Sequence, residues 1–347
     1  MSAGSATPFA PTPVPPRRTA LPRMRGPVSG ILLEVLRCTP GMPVELPALD
    51  ADADLLADDD VQLALYLCYE LHYGELEGVD ERWEWDPGLL AFRAVLERAF
   101  EAALRAAVRA PEAPPGIDVG AALQRLLAED DGATLSRFVE TQATAEQVRE
   151  LFVHRSSYQL KEADPHSWAI PRLAGAPKAA LVEVQADEYG GGRPERLHAT
   201  LFANSMAAIG LDPRYGAYLE RLPGSTLATV NLMSLLGLHR RLRGAIVGHL
   251  AAFEMTSSLP NRRYGNGLRR LGFGIDATDF FDEHVEADAV HEQVAAWDLA
   301  GGLARAEPRL AGDILWGAAA LLEVEGRCGR CILDAWARGE SSLRKPL

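Results

Sequence analysis

Within the octet HVEADAVH, His284, Asp288 and His291 follow one another at spacings of four and three. At 3.6 residues per turn, all three project from one face of a helix. Burying such groups unpaired is costly. Imidazole and carboxylate together form a ligand set for iron, manganese or zinc. A wetted helix face with two unrelated histidines is the plainer alternative. Glu254 follows an apolar stretch, 245–253, broken only by Gly248 and His249. It is either solvated near a helix end or matched by positive charge, a role that a pair of metal ions can fill. The segment ADEYGGGRPERLH holds Glu188, Glu195 and His198. Offsets of three, seven and ten share roughly one helix face, but the three glycines and Pro194 equally suit a loop between helices. A fourth segment, YQLKEADPHSWAIPRL, holds Glu162, Asp164 and His166. Pro165 argues against all three sharing one helix. Four helical segments thus each bring a carboxylate or a histidine, the way dimetal sites are built in the cores of helical bundles.

Together, over 131–336, these segments resemble the heme-oxygenase-like diiron oxidases and oxygenases. The N-oxygenase branch of that family, represented in streptozotocin biosynthesis, shares their spacing. The resemblance implies metal ligands at Glu162, Glu188, His198, Glu254, His284, Asp288 and His291, whose gaps are 26, 10, 56, 30, 4 and 3. It implies a fold like that of heme oxygenase, carrying two iron ions, Fe(II)/Fe(III), in place of heme. Dioxygen is then the co-substrate, with electrons from an external donor such as a reductase. Glu254, the only carboxylate of its helix, is expected to bridge the irons. His198 and Glu162 are expected at one iron, and His284 and Asp288 at the other. The carboxylates Glu162, Glu188, Glu254 and Asp288 are the expected catalytic groups. Glu195 rivals Glu188 for its place. A ligand at Glu162 favours N-oxygenation of an amino acid or small amine. The six-ligand members instead desaturate or cleave carbon chains of amino acids or fatty acids. A non-catalytic iron-binding helical protein is the reading from a different class.

The elements that must position these groups are helical. Long alternating Val, Ile and Thr stretches do not occur, so an all-α, bundle-like fold is expected. Strong helical patterns run through 61–73, 86–110, 177–190, 193–210, 225–258, 276–304 and 309–339. The Pro-rich stretch 1–26 reads as a flexible tail. Residues 27–130 read as an auxiliary helical region that supports a homodimer, and 131–340 as the diiron domain.

The chain has 347 residues, with 35 Lys and Arg against 48 Asp and Glu, a net charge of -13. That balance speaks against nucleic acid or an anionic membrane as the main partner. No apolar run reaches the length of a membrane span, and the first residues lack the apolar centre of a signal peptide. A cytoplasmic location is expected. Four cysteines form no disulfide framework, and Cys328 and Cys331 read as two helical cysteines facing the core. NRRYGNGLRR, 261–270, reads as a solvated loop or as the receiver of a substrate carboxylate. His72, Glu75, Trp83 and Trp85 read as packing and surface residues.

Overall fold

The computed structural model describes residues 17–44, 49–50, 53–130 and 135–347, and leaves the side chains of 287–290 undescribed. Helices α1 (Pro27–Leu36), α2 (Asp59–Glu70), α3 (Pro87–Ala107) and α4 (Val119–Ala128) form the N-terminal part. Next come α5 (Leu135–Thr141), α6 (Ala145–Gln159), α7 (Asp164–Ser167), α8 (Gly175–Glu188) and α9 (His198–Ala208). The chain ends with α10 (Gly224–Leu238), α11 (Arg243–Met255), α12 (Ser258–Arg270), α13 (Ile275–Gln293), α14 (Gly301–Ala306) and α15 (Ala311–Ala337). A π-helical stretch, Val294–Ala300, joins α13 to α14. The fold is all-α. Among the described residues, extended pairing is confined to a parallel two-residue ladder that sets Arg18 opposite Glu75 and Thr19 opposite Leu76.

Local chemistry starts several of these helices. Asp58 accepts from the backbone N–H groups of Asp60 and Val61 at the head of α2. Asp86 caps α3, with Pro87 in its first turn. Thr144 and Gln147 form a reciprocal capping box on α6.

One apolar core runs from Val28 to Leu343. Helices α11 and α15 cross at its centre with their backbones in contact. A Cβ at Gly248 would collide with the Ile314 carbonyl, and one at Gly317 with the Ala245 carbonyl. Helix α10 lies against α2, α12 against α5 and α13, and α9 against α13. Among the described residues, no helix is long and apolar enough to cross a membrane.

The structure redraws three expected elements. The helix expected over 225–258 is two, because the chain breaks between α10 and α11 at His239, where φ is -101° and ψ 111°. Residues 261–270 are not a loop; they lie in α12. The stretch between α8 and α9 is a turn, with Gly190, Gly191 and Gly192 all at positive φ (68°, 58° and 81°).

Candidate metal centre

Six of the seven expected ligands meet inside the bundle. Ligand atoms of Glu162, Glu188, His198 and His284 lie within 4.8 Å of one another, as do those of Glu188, Glu254 and His291. None of the six residues is more than 7% exposed. Asp288 lies one turn beyond His284 on α13, outside the described side chains.

Glu162 sits in the turn between α6 and α7, and that turn is braced on three sides. Lys161 pairs with Glu70 of α2. Gln185 of α8 donates to the Ala163 carbonyl at 2.8 Å. Asp164 pairs with Arg17 and accepts from the Tyr189 hydroxyl at 2.8 Å. Ala163 is held at φ 74°, the only described non-glycine residue at positive φ. Such a conformation costs on the order of 1–3 kcal/mol and persists only where its surroundings enforce it.

Glu188 is the last residue of α8 and His198 the first of α9. The glycine turn between them folds the two ends together, placing His198 Nδ1 2.9 Å from Glu188 Oε2. Both histidines of α13 have one ring nitrogen committed elsewhere. His284 Nδ1 donates to the Phe280 carbonyl at 2.7 Å, which leaves Nε2 facing Glu162 Oε1 at 3.6 Å. His291 Nε2 donates to Asp187 at 2.9 Å, which leaves Nδ1 facing Glu254 Oε2 at 3.5 Å. One ring nitrogen held from behind, with the other turned inward, is how metal-binding histidines are oriented.

The grouping differs from the expected division. Glu188, not Glu254, belongs to both clusters, and His284 falls with His198 and Glu162. The reason is packing: the His284 and His198 rings lie 4.4 Å apart between centroids, with Phe280 beside His284 at 4.3 Å.

The site's electrostatics ask for positive charge. Burial pushes the Glu188 carboxyl up, yet His198, His284 and His291 outweigh it and hold its pKa down to about 2. Burial pulls His291 down, but Glu254, Asp187 and Glu188 raise it to about 9. Glu162 Oε2 is buried without a hydrogen-bond partner, and the Nδ1 atoms of His198 and His291 face the carboxylates of Glu188 and Glu254. Three carboxylates and three imidazoles, gathered in two groups whose ligand atoms lie within 4.8 Å of one another, fit a pair of iron ions.

Other expected residues lie elsewhere. Glu195 is exposed, so it does not compete with Glu188. Asp164 braces the Glu162 turn. His166 is buried against His249, its Nε2 3.1 Å from His249 Nδ1. Cys328 is buried and Cys331 exposed, so only one of the two faces the core. His72 bonds Glu84 and Arg93, and Trp83 donates to the Cys38 carbonyl, in keeping with packing roles. Two residues escaped sequence reading. Asp187 carries only the signal of an acid adjoining Glu188. Arg155 reads as an ordinary polar residue of α6.

A cavity of about 630 Å³ opens beside the centre, with Glu162 and His284 on its wall. Tyr158, Phe253 and Phe280 surround that end, and Arg155, Arg263 and Glu325 line other parts.

The chain belongs to the iron-containing redox enzyme family, whose model matches residues 149–326. It is similar to nitrosourea synthase of Streptomyces achromogenes subsp. streptozoticus, with 31% identity over 139 residues, 39% of this chain. The match spans only 29% of that relative's length. Two crystal structures of a CADD-like protein of unknown function from Nostoc punctiforme share the fold. Their TM-scores are 0.51 and 0.50, at 18% and 17% identity, covering 62% and 64% of this chain and 96% of theirs.

Proposed function

We propose that the chain is a non-heme diiron oxygenase that uses dioxygen to oxygenate the nitrogen of an amino acid or small amine. The observation that carries this reading is the pair of buried ligand clusters sharing Glu188. Glu162, His198 and His284 would hold one ion, Glu254 and His291 the other, with Glu188 between them and Asp288 as a further ligand. Two irons bound there would supply redox chemistry toward dioxygen, with electrons from an external donor. The chain's own residues do the rest. Asp187 and the Phe280 carbonyl hold the outer ring nitrogens of His291 and His284, so that the other nitrogen of each ring points inward. Three carboxylates balance the metal charge. The rings of Tyr158, Phe253 and Phe280 place apolar surface on the cavity wall. The similarity to a nitrosourea synthase supports nitrogen over carbon as the atom oxidised.

Anaerobic ferrous titration tests the centre. About two irons per chain are expected, and a stoichiometry of one would overturn the reading. Mass spectrometry of products then separates nitrogen that gains oxygen from a carbon chain that is desaturated or shortened. Substrate-independent oxygen uptake alone would favour an iron-binding protein without catalysis.

A further inference from the structure

The cavity wall carries an arginine and a glutamate, Arg155 and Glu325, that form no ion pair among the described residues. Arg155, on α6, donates to the Tyr264 hydroxyl at 3.1 Å and lies over that ring, 5.0 Å from its centroid. Its Nε is buried without a partner. Among the described residues, no carboxylate stands within ion-pair distance of it. Arg263, the other arginine on this wall, is already matched by Glu140 at 3.8 Å and Ser136 at 3.4 Å. Along α12, Arg269 pairs with Asp282, and Arg270 donates to the carbonyls of Val139, Glu140 and Ala143. Arg262 is exposed and does not line this cavity, so the role of carboxylate receiver expected from α12 falls to Arg155.

Glu325, on α15, has no hydrogen bond or ion pair among the described residues. Burial lifts its carboxyl above the usual range, and Arg155 offsets this only in part. The two groups are near enough to influence each other, yet they do not pair. An unpaired charge in so sheltered a place is costly unless a guest completes it. A guanidinium edge and a carboxylate, separated by a gap, match a molecule that carries both charges on adjacent atoms. Arg155 also stands about one turn before the end of α6, and Glu162 lies in the turn that follows. A guest held by its charged end would have its far end beside Glu162 and His284.

We propose that this cavity binds a zwitterionic α-amino acid, with its carboxylate on Arg155, its ammonium on Glu325 and its side chain directed at the metal centre. The proposal rests on the oxygenase reading of that centre and names the substrate class. It also makes Glu325 the group that rejects fatty acids, whose single negative charge it repels.

The test uses three six-carbon probes, L-norleucine, hexanoate and hexylamine, titrated calorimetrically into the metal-free full-length protein. Norleucine is expected to bind at least tenfold more tightly than either single-charge probe. Glu325→Gln should weaken norleucine about tenfold and tighten hexanoate. Arg155→Gln should weaken norleucine and hexanoate and tighten hexylamine, while Arg155→Lys retains part of the norleucine affinity. A purely structural role would not move two probes in opposite directions. Should Arg155→Gln fail to fold, Arg155→Lys and Glu325→Gln still decide. Equal affinity for the three probes, no binding of any, or loss of hexanoate affinity in Glu325→Gln would overturn the proposal. Because no iron is present, failure here leaves the ferrous titration standing, and the reverse also holds.

Discussion

Lys161 is fully buried and paired with Glu70, a residue 91 positions earlier in the chain. The pair joins α2 to the turn that carries Glu162. Tyr215 adds a 2.5 Å hydrogen bond to the other Glu70 oxygen, and the Tyr73 ring lies 4.4 Å from the ammonium. Removing one partner strands a buried charge, which costs about 3–5 kcal/mol. Glu70→Gln and Lys161→Met should each show that loss in urea unfolding. The double variant should recover much of it. Additive losses would mean that the two charges do not act as a pair.

Asp187 positions His291 through a side chain that is itself 59% exposed. Its replacement by Asn should therefore leave stability within about 0.5 kcal/mol of wild type. Ferrous affinity should fall about 10–100-fold, the usual effect of losing an outer partner of a metal-binding histidine. Glu183→Gln, on the exposed face of the same helix, is the control. Equal iron binding by both variants would remove Asp187 from the site.

His154 gives the fold an acid limit away from the metal centre. It is buried between Thr226 and Ser342, at 2.6 and 3.0 Å. Burial lowers its pKa to about 4, opposed by Glu150. Between pH 6.5 and 4 the unfolded chain therefore holds the proton that the folded chain lacks. Stability is fully present above pH 6.5 and falls with acidification across that window. The slope from this residue approaches about 1.4 kcal/mol per pH unit. Urea unfolding at pH 7 and pH 5 should show a smaller drop for His154→Gln than for wild type. Identical drops would place the acid sensitivity elsewhere.

Gly248→Ala should be among the most damaging small substitutions in the chain. The added methyl meets the Ile314 backbone, which no rotamer change can move aside. Overpacking of this kind costs typically about 1–3 kcal/mol. Thermal unfolding is the measurement, with Gly312→Ala on α15 as a spacious control, since its nearest neighbour would be Ala113 at 3.8 Å. Equal melting of the two variants would contradict the backbone contact.

Much of this arrangement was readable in local spacing. His284 and His291 share a helix face by arithmetic alone, and the apolar run before Glu254 marked a carboxylate carried inward. What spacing could not show depends on distant partners. Asp187 meets His291 across 104 residues, and Glu70 meets Lys161 across nearly as many. Neither contact leaves a periodic trace. Helix α12 was hidden by its own composition. Its arginine-rich stretch 261–270 read as a solvated loop, yet it packs closely: a Cβ at Gly267 would lie 2.6 Å from the Val139 carbonyl of α5. The break at His239 has no Gly or Pro beside it to announce it within HRRL, and only the tertiary packing of α10 and α11 reveals it.

The contact of α11 with α15 also acts as a gauge. Glu254 rides on the first of these helices and Glu325 on the second. Their separation is set where Gly248 and Gly317 let main chain touch main chain. Side chains can rotate, but a join of this kind cannot slide by part of a turn without collision. The span from Glu254 to Glu325 is thus a property of the backbone. Altering the space available to a guest would require changing residues such as Tyr158, Phe253 or Met233 that line the cavity, while the frame stays in place.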